Sequence, residues 1–351
     1  MRIAIATAQV PFISGGAEFM TAELVRSLAE LGHNTEVVSI PFRFGPHREI
    51  QRSMDMWGSE FFDKFDCGRI DKVICLKFPA FYLSHPNKCI WLMHQHRSVY
   101  ELFDTAYGES SNNLSAAALR IEILKRDTDA LNSAKGIFTI SKRVSERMTQ
   151  YNGVSSQPLY QPSRLAGRLK VGEQLPYIFF PSRIEALKRQ ELLIRALQHV
   201  RSPCAIIIAG EGGQQANLVQ LVERLGLSNR VRFLGRIDDD ELILWYSNAL
   251  GVFFGPHDED YGFITLEAMQ SSKPVITCTD SGGPLEFVLN GETGYVVAPT
   301  PEAVAHAVDE LYFNRSRAKQ MGQAALQYYD QLDICWEHVV SKLLSENLAG
   351  I

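Results

Sequence analysis

Short apolar runs of buried-strand type alternate with amphipathic stretches along most of this chain, and that alternation restricts its fold more than any other feature. A strand buried on both faces reads as a continuous apolar run and needs helices above and below to cover it. Strands joined through helices run parallel. The pattern opens with a strand over Ile3–Ala8, the turn S-G-G-A, and an amphipathic helix from about Glu18 to Leu31, stopped by Gly32. T-E-V-V-S-I, K-V-I-C-L-K, K-C-I-W-L-M-H and G-I-F-T-I-S follow as further strands, with a helix over Leu114–Asn132 between the last two. The expected class is α/β, with doubly wound parallel sheets.

The alternation lapses once. From Pro158 to Pro176 the chain reads P-L-Y-Q-P-S-R-L-A-G-R-L-K-V-G-E-Q-L-P, rich in Pro, Gly and basic residues and without periodicity, as a linker is. It then restarts with Y-I-F-F-P-S, a helix to about Val200, C-A-I-I-I-A-G, a helix to Leu225, V-R-F-L-G, a helix to Ser247, G-V-F-F-G and P-V-I-T-C. A length of 351 residues suits two domains, and the boundaries are drawn as 1–160 and 161–333.

Bulk properties remove several function classes. A net charge of −5 argues against a general nucleic-acid binder, so no nucleic-acid partner is expected. The six cysteines (67, 75, 89, 204, 278, 335) form no C-x-x-C pair and read as reduced core residues of a cytoplasmic protein. The N-terminal M-R-I-A-I-A-T-A-Q-V-P-F-I imitates a signal peptide, but Gln9 and Pro11 interrupt it and a buried first strand fits better. No apolar run approaches the ~20 residues of a membrane span. The first half is mildly basic and the second holds the acidic excess, which leaves open a peripheral contact at the inner membrane face or an anionic acceptor.

In open parallel sheets, ligands bind beyond the carboxyl ends of the strands, and the candidate polar groups fall there. Gly15 and Gly16 follow the first strand and precede a helix, a place where backbone amides meet anions, although such a pair is often only a tight turn. Arg183 and Lys188 follow Y-I-F-F-P and suit a diphosphate, Arg as a planar fork and Lys as a point charge. The plainer reading is a solvated helix start, but positive charge there opposes the helix dipole. His94 closes the strand W-L-M-H. A metal pair with His96 lacks a third ligand nearby, and the D-E-D run at 258–260 opens onto a helix, so metal is the poorer reading for both. Last, Glu259 and Glu267 flank Gly262. A break at Gly262 puts Glu259 in a loop and Glu267 in a helix starting near Phe263, with free amides at Gly262, Phe263 and Ile264. Support of a helix dipole would account for one glutamate, not for the pair beside Arg183 and Lys188.

These residues together resemble a retaining glycosyltransferase of the GT-B fold, family 4 (glycosyl transferases group 1). The motifs that carry the likeness are P-S-R-x-x-x-x-K, I-I-A-G-E-G, V-R-F-L-G, the E-x7-E pair ending L-E-A-M, S-G-G-P-x-E and N-G-x-T-G, in that order, with S-G-G-A-E, H-Q-H-R-S-V-Y-E-L and F-T-I-S-K-R-V in the first half. The resemblance implies two Rossmann-like domains facing a central cleft, acceptor side first, donor side second, with the C-terminal helix over 334–351 packing back on the first. It implies that Glu267 holds the ribose hydroxyls, Glu259 a donor-sugar hydroxyl, and Arg183 and Lys188 the diphosphate, together with the Phe263 and Ile264 amides. Gly16 would let the first loop approach the phosphates, His94 would lie near the sugar and acceptor, and base contacts would come from Arg236 and Ile237. The expected donor is a nucleotide-linked hexose, UDP-glucose or a related UDP-hexose, and the acceptor a glycan, lipid-linked sugar or small molecule. No cofactor and no metal are expected. Two alternatives stay open at this point: a GT-B nucleotide-sugar epimerase, and a catalytically silent sugar-nucleotide-binding subunit.

Overall fold

The computed structural model describes residues 1–12, 15–65 and 68–345, which divide into two compact units. The first comprises Met1–Pro162 and the stretch from Ile334 on; the second is Ser163–Asp333.

The first unit holds β1 (Arg2–Gln9), α1 (Gly16–Glu30), β2 (Asn34–Pro41), α2 (His47–Gly58), the two-residue strands β3 (Lys64–Phe65) and β4 (Gly68–Arg69), and β5 (Lys72–Cys75). It continues through β6 (Lys88–Leu92), α3 (Leu114–Asn132), β7 (Gly136–Thr139), α4 (Lys142–Asn152) and β8 (Gln157–Pro158). Its main sheet is parallel, in the order β2-β1-β5-β6-β7-β8, while β3 and β4 pair antiparallel on their own. The helix ends follow local chemistry. Asn113 accepts the Ser115 amide at the head of α3, Ser141 accepts the Val144 amide at 3.0 Å to start α4, and Gly153 in the left-handed region closes α4.

The second unit runs β9 (Tyr177–Pro181), α5 (Gln190–Ala196), β10 (Ala205–Ala209), α6 (Gln215–Arg224), β11 (Val231–Gly235), α7 (Asp239–Asn248), β12 (Gly251–Phe253) and α8 (Phe263–Gln270). Then come β13 (Val275–Cys278), β14 (Gly294–Val297), α9 (Pro301–Phe313) and α10 (Arg315–Gln331). Its sheet is wholly parallel, ordered β11-β10-β9-β12-β13-β14. The chain winds outward from β9 in one direction and from β12 in the other. The two strands are neighbours, so the loops beyond their carboxyl ends form the crevice where such sheets take ligands. Ile178, Phe180, Ile206, Ile208 and Phe253 build the core against α5 and α9.

Three features depart from the sequence reading. The helix expected from β9 to Val200 is a single 3₁₀ turn, Ala186–Lys188, followed by the seven-residue α5. Arg189 breaks it, held at φ 58° by side-chain bonds described below. Cys75, Cys89, Cys204 and Cys278 are buried thiols, but Cys335 is half-exposed and its sulfur accepts the His338 amide at 3.4 Å; Cys67 lies outside the described residues. Finally, α2, β14, α9 and α10 are additional to the expected elements, although α2 buries Ile50, Ser53, Met54 and Trp57 at helical spacing. The last helix, α11 (Trp336–Leu344), packs on α1, and Trp336 meets Trp91 edge-on at 6.0 Å. Among the described residues no helix is long and apolar enough to cross a membrane.

Candidate functional site

The candidate site in the second unit starts with a loop whose backbone is pinned on both sides. After the apolar β12, His257 donates its amide to Leu187 O at 2.8 Å, Asp258 to Asp280 O at 2.9 Å and Glu259 to Ser281 O at 2.9 Å. Gly283 returns a bond to Glu259 O at 2.8 Å. The S-G-G segment is what permits this approach. Gly282 sits at φ +70°, and a Cβ there would come within 2.5 Å of Glu259 O. So fastened, Glu259 receives the Lys188 ammonium at 2.6 Å, with the two side chains only 17% and 15% exposed. The ammonium also lies 5.6 Å from the centre of the Phe254 ring.

Arg189, adjacent to Lys188, ties the same loops together. Its guanidinium meets the Asp280 carboxylate bidentately, at 2.8 and 2.7 Å, and a third contact reaches His257 Nδ1 at 2.8 Å. Burial pushes the Asp280 carboxyl up, but the Arg189 and His257 contacts outweigh it and hold the group below the usual carboxylate range. Sequence reasoning missed this clamp, because nothing in the spacing of Arg189 and Asp280 sets them apart from other surface charges.

Gly262 turns the loop into α8. It lies at φ +88°, and a Cβ there would press to 2.9 Å on Phe254 and 3.0 Å on Pro284. The helix starts at Phe263, and among the described residues no acceptor meets the amides of Gly262, Phe263 or Ile264. Gly262, where α8 begins, and the Lys188 ammonium both adjoin the Phe254 ring. Glu267, in the second turn, is buried and takes a hydroxyl on each oxygen, Ser163 at 2.6 Å and Tyr246 at 2.7 Å. Burial raises its carboxyl above the usual range, and the two hydroxyl donors oppose that.

The remaining residues of this unit are less constrained. Arg183 is exposed, its carbonyl fixed by Gln190 Nε2 at 2.8 Å, and its guanidinium has no partner among the described residues. Arg236 is exposed and Ile237 half-buried, just past Gly235 at the end of β11. Arg183, Lys188, Glu259, Gly262 and Phe263 thus stand on the loops beyond β9 and β12.

Gly15, Gly16 and His94 belong to the first unit. The Gly15 amide, expected to be open to an anion, is taken by Glu18 Oε2 at 2.8 Å, since a glutamate three residues into a helix reaches back to its start. His94 is half-buried beyond β6, and its Nδ1 donates to Gln95 O at 2.8 Å. His96 stacks on Phe78 at 5.1 Å and on Phe44 at 6.3 Å, and burial lowers it to about 4, so its ring packs as a neutral aromatic. Beneath this loop, Gln95 Nε2 donates to Asn152, whose amide donates to Tyr100 OH and Thr128. Tyr100 and Tyr82 both donate to the fully buried Asp127, at 2.6 and 2.5 Å. Sequence reasoning missed this network, whose members lie far apart along the chain.

The family profile described as Glycosyl transferases group 1 matches residues 165–328. The D-rhamnosyltransferase WbpZ of Pseudomonas aeruginosa is 33% identical over 168 residues, 47% of this chain and 43% of that protein. The chain spans less than half the length of the first curated relatives it matches. The glycogen synthase of Mycobacterium tuberculosis is 30% identical over 279 residues, 76% of this chain and 67% of that enzyme. Among solved structures, Anabaena HepE in complex with UDP-glucose superposes with a TM-score of 0.72 at 17% identity, covering 98% of each chain. The fold is that of the GT-B glycosyltransferases, two parallel-sheet Rossmann-like domains.

Proposed function

The chain belongs to the glycosyl transferases group 1 family, and from that footing we propose that it transfers a hexose from a nucleotide sugar, with retention at the anomeric carbon. The donor in this reading is UDP-linked, UDP-glucose or a close relative, and the acceptor is a glycan, a lipid-linked sugar or a small molecule. HepE, solved with UDP-glucose, supports the donor class. The observation that carries the reading is the Lys188–Glu259 pair at 2.6 Å, on the loop that leads into α8, whose first amides meet no acceptor among the described residues.

In this reading the diphosphate lies against the amides of Phe263 and Ile264, with Lys188 and Arg183 at its oxygens. Negative charge grows on the leaving phosphate as the bond to the anomeric carbon breaks. Fixed amides and cations stabilise that charge more than the ground state, without metal, because they need not reorganise. Glu259 accepts a hydrogen bond from a hydroxyl of the donor sugar, and its bond to Lys188 keeps the acid and the cation in register. Glu267 takes the ribose hydroxyls, and the loop of Arg236 and Ile237 the base. On the first unit, Gly16 gives a close backbone approach and His94 is assigned to the sugar and the acceptor. The acceptor oxygen bonds to the anomeric carbon on the face the diphosphate leaves, and the acceptor proton passes to the departing phosphate oxygen. The products are the glycoside and UDP. A peripheral station at a membrane face fits a lipid-linked acceptor.

A thermal-shift screen across UDP-, GDP- and ADP-sugars tests the donor class, since a ligand that binds only the folded state raises apparent stability. UDP-hexoses are expected to give the largest shift, and no shift with any nucleotide sugar contradicts the reading. The anomeric configuration of the product, read by NMR, tests retention.

A further inference from the structure

Glu267 is held in an unusual way for an acid of a binding site. It is 7% exposed, and its two partners are buried further, Ser163 at 3% and Tyr246 at 0%. The Ser163 hydroxyl is itself oriented, since it accepts the Leu165 amide at 3.1 Å and so turns its proton to Glu267. The Tyr246 ring stands edge-on to Phe179 at 5.1 Å and has no room to swing. Arg164, next in the chain to Ser163, sends its guanidinium to Asp239 instead. An ionised carboxylate has about four lone-pair directions. Each hydroxyl uses one per oxygen and brings no charge, whereas a bidentate guanidinium would occupy both oxygens on one face.

We propose that Ser163 and Tyr246 are positioning residues for ribose recognition: they lock the Glu267 carboxylate so that one lone pair on each oxygen meets one hydroxyl of the 2′,3′-diol. This rests on the donor-binding reading above. A vicinal diol offers two donors at a fixed separation, and only a carboxylate held in one rotamer accepts both. The two hydroxyl donors also favour the ionised form of the buried acid, the form that accepts from a diol. Burial pushes the Glu267 carboxyl up, and the Ser163 and Tyr246 bonds counter that.

The test compares UDP with 2′,3′-dideoxy-UDP by calorimetry in the wild type, Tyr246→Phe, Ser163→Ala and Ser163→Thr. The wild type is expected to favour UDP by more than about tenfold, the range of hydrogen bonds to a charged group. Tyr246→Phe and Ser163→Ala narrow that ratio at least about fivefold while dideoxy-UDP binds as before, and Ser163→Thr, which keeps the hydroxyl, restores it. In Tyr246→Phe the carboxyl rises further, so on acidification its UDP affinity falls at a higher pH than that of the wild type. Equal losses for the two ligands would make Tyr246 and Ser163 structural only and overturn the proposal. A wild type that binds UDP without regard to the diol removes Glu267 from the ribose. A wild type that binds none of UDP, GDP and ADP refutes the donor reading itself, and the proposal with it.

Discussion

Replacing Gly262 with Ala puts the geometry of the candidate site at risk through a single methyl group. The residue lies at φ +88°, where a side chain costs about 1–2 kcal/mol. The new Cβ would also sit 2.9 Å from Phe254 Cε1 and 3.0 Å from Pro284 Cγ, both tighter than real Cβ contacts. Phe254 is 1% exposed and stands edge-on to Phe180, so it cannot retreat, and overpacking of this kind costs about 1–3 kcal/mol. The sum is roughly 2–5 kcal/mol, which for a unit of this size is a melting shift on the order of 4–20 °C. If the loop relaxes to relieve the strain, the α8 amides turn away and UDP affinity falls with it. Differential scanning calorimetry with and without UDP reads both effects. The double variant with Phe254→Leu is expected to recover the overpacking share and not the backbone share. A Gly262→Ala protein that melts within a degree of the wild type and binds UDP equally well would mean that neither strain nor overpacking acts at this position.

Lys188→Ala leaves the Glu259 carboxylate unpaired beside the diphosphate position, so UDP should bind at least about tenfold more weakly while uridine binds as before. Equal loss of both ligands in calorimetry would misplace the cation. In the first unit, burial pushes the Asp127 carboxyl up to about 7, above the ~3.9 of an unfolded chain. The folded state then holds a proton that the unfolded state releases between about pH 4 and 7, so this group's contribution is greatest below that window and is lost as pH rises through it. Asp127→Asn removes the slope: its stability relative to the wild type should improve between pH 4.5 and 7.5 in chemical denaturation, and a constant difference would contradict the assignment.

Much of the fold was legible because it rests on local pattern. Apolar runs such as Y-I-F-F-P and A-I-I-I-A, bounded by turn residues, read as buried strands and are strands, and α3 spans Leu114–Asn132 as expected, started by the Asn113 cap. The start of α8 was legible too, because Gly262 separates an apolar strand and loop from a helical run. What stayed hidden depends on pairing across distance. Ser163 and Glu267 are 104 residues apart, and no local property of a serine in a Pro-rich stretch announces its partner. Arg189 looked like one more basic residue of a helix, yet its bond to Asp280 ends that helix in a left-handed turn. His96 sits in a motif that invites a metal reading, and only packing shows its ring stacked between Phe44 and Phe78. The half-buried edge strand β14 lacked the contrast between faces that periodicity needs, whereas α10 was missed although its buried Ala318, Met321, Gly322 and Ala325 recur at helical spacing, because these mostly small side chains give a weak apolar signal.

The proposal as a whole turns on Glu259, the acid that meets Lys188 at 2.6 Å and is assigned to the donor sugar. The direct measurement is release of UDP from UDP-glucose, with monosaccharide, oligosaccharide and lipid-linked acceptors, in the wild type and Glu259→Ala, alongside UDP affinity by calorimetry. Acceptor-dependent release is expected of the wild type, with a fall of roughly a hundredfold or more in the variant and UDP binding that is kept or tightened as Lys188 is freed. Turnover in Glu259→Ala within threefold of the wild type would contradict its assignment to the donor sugar.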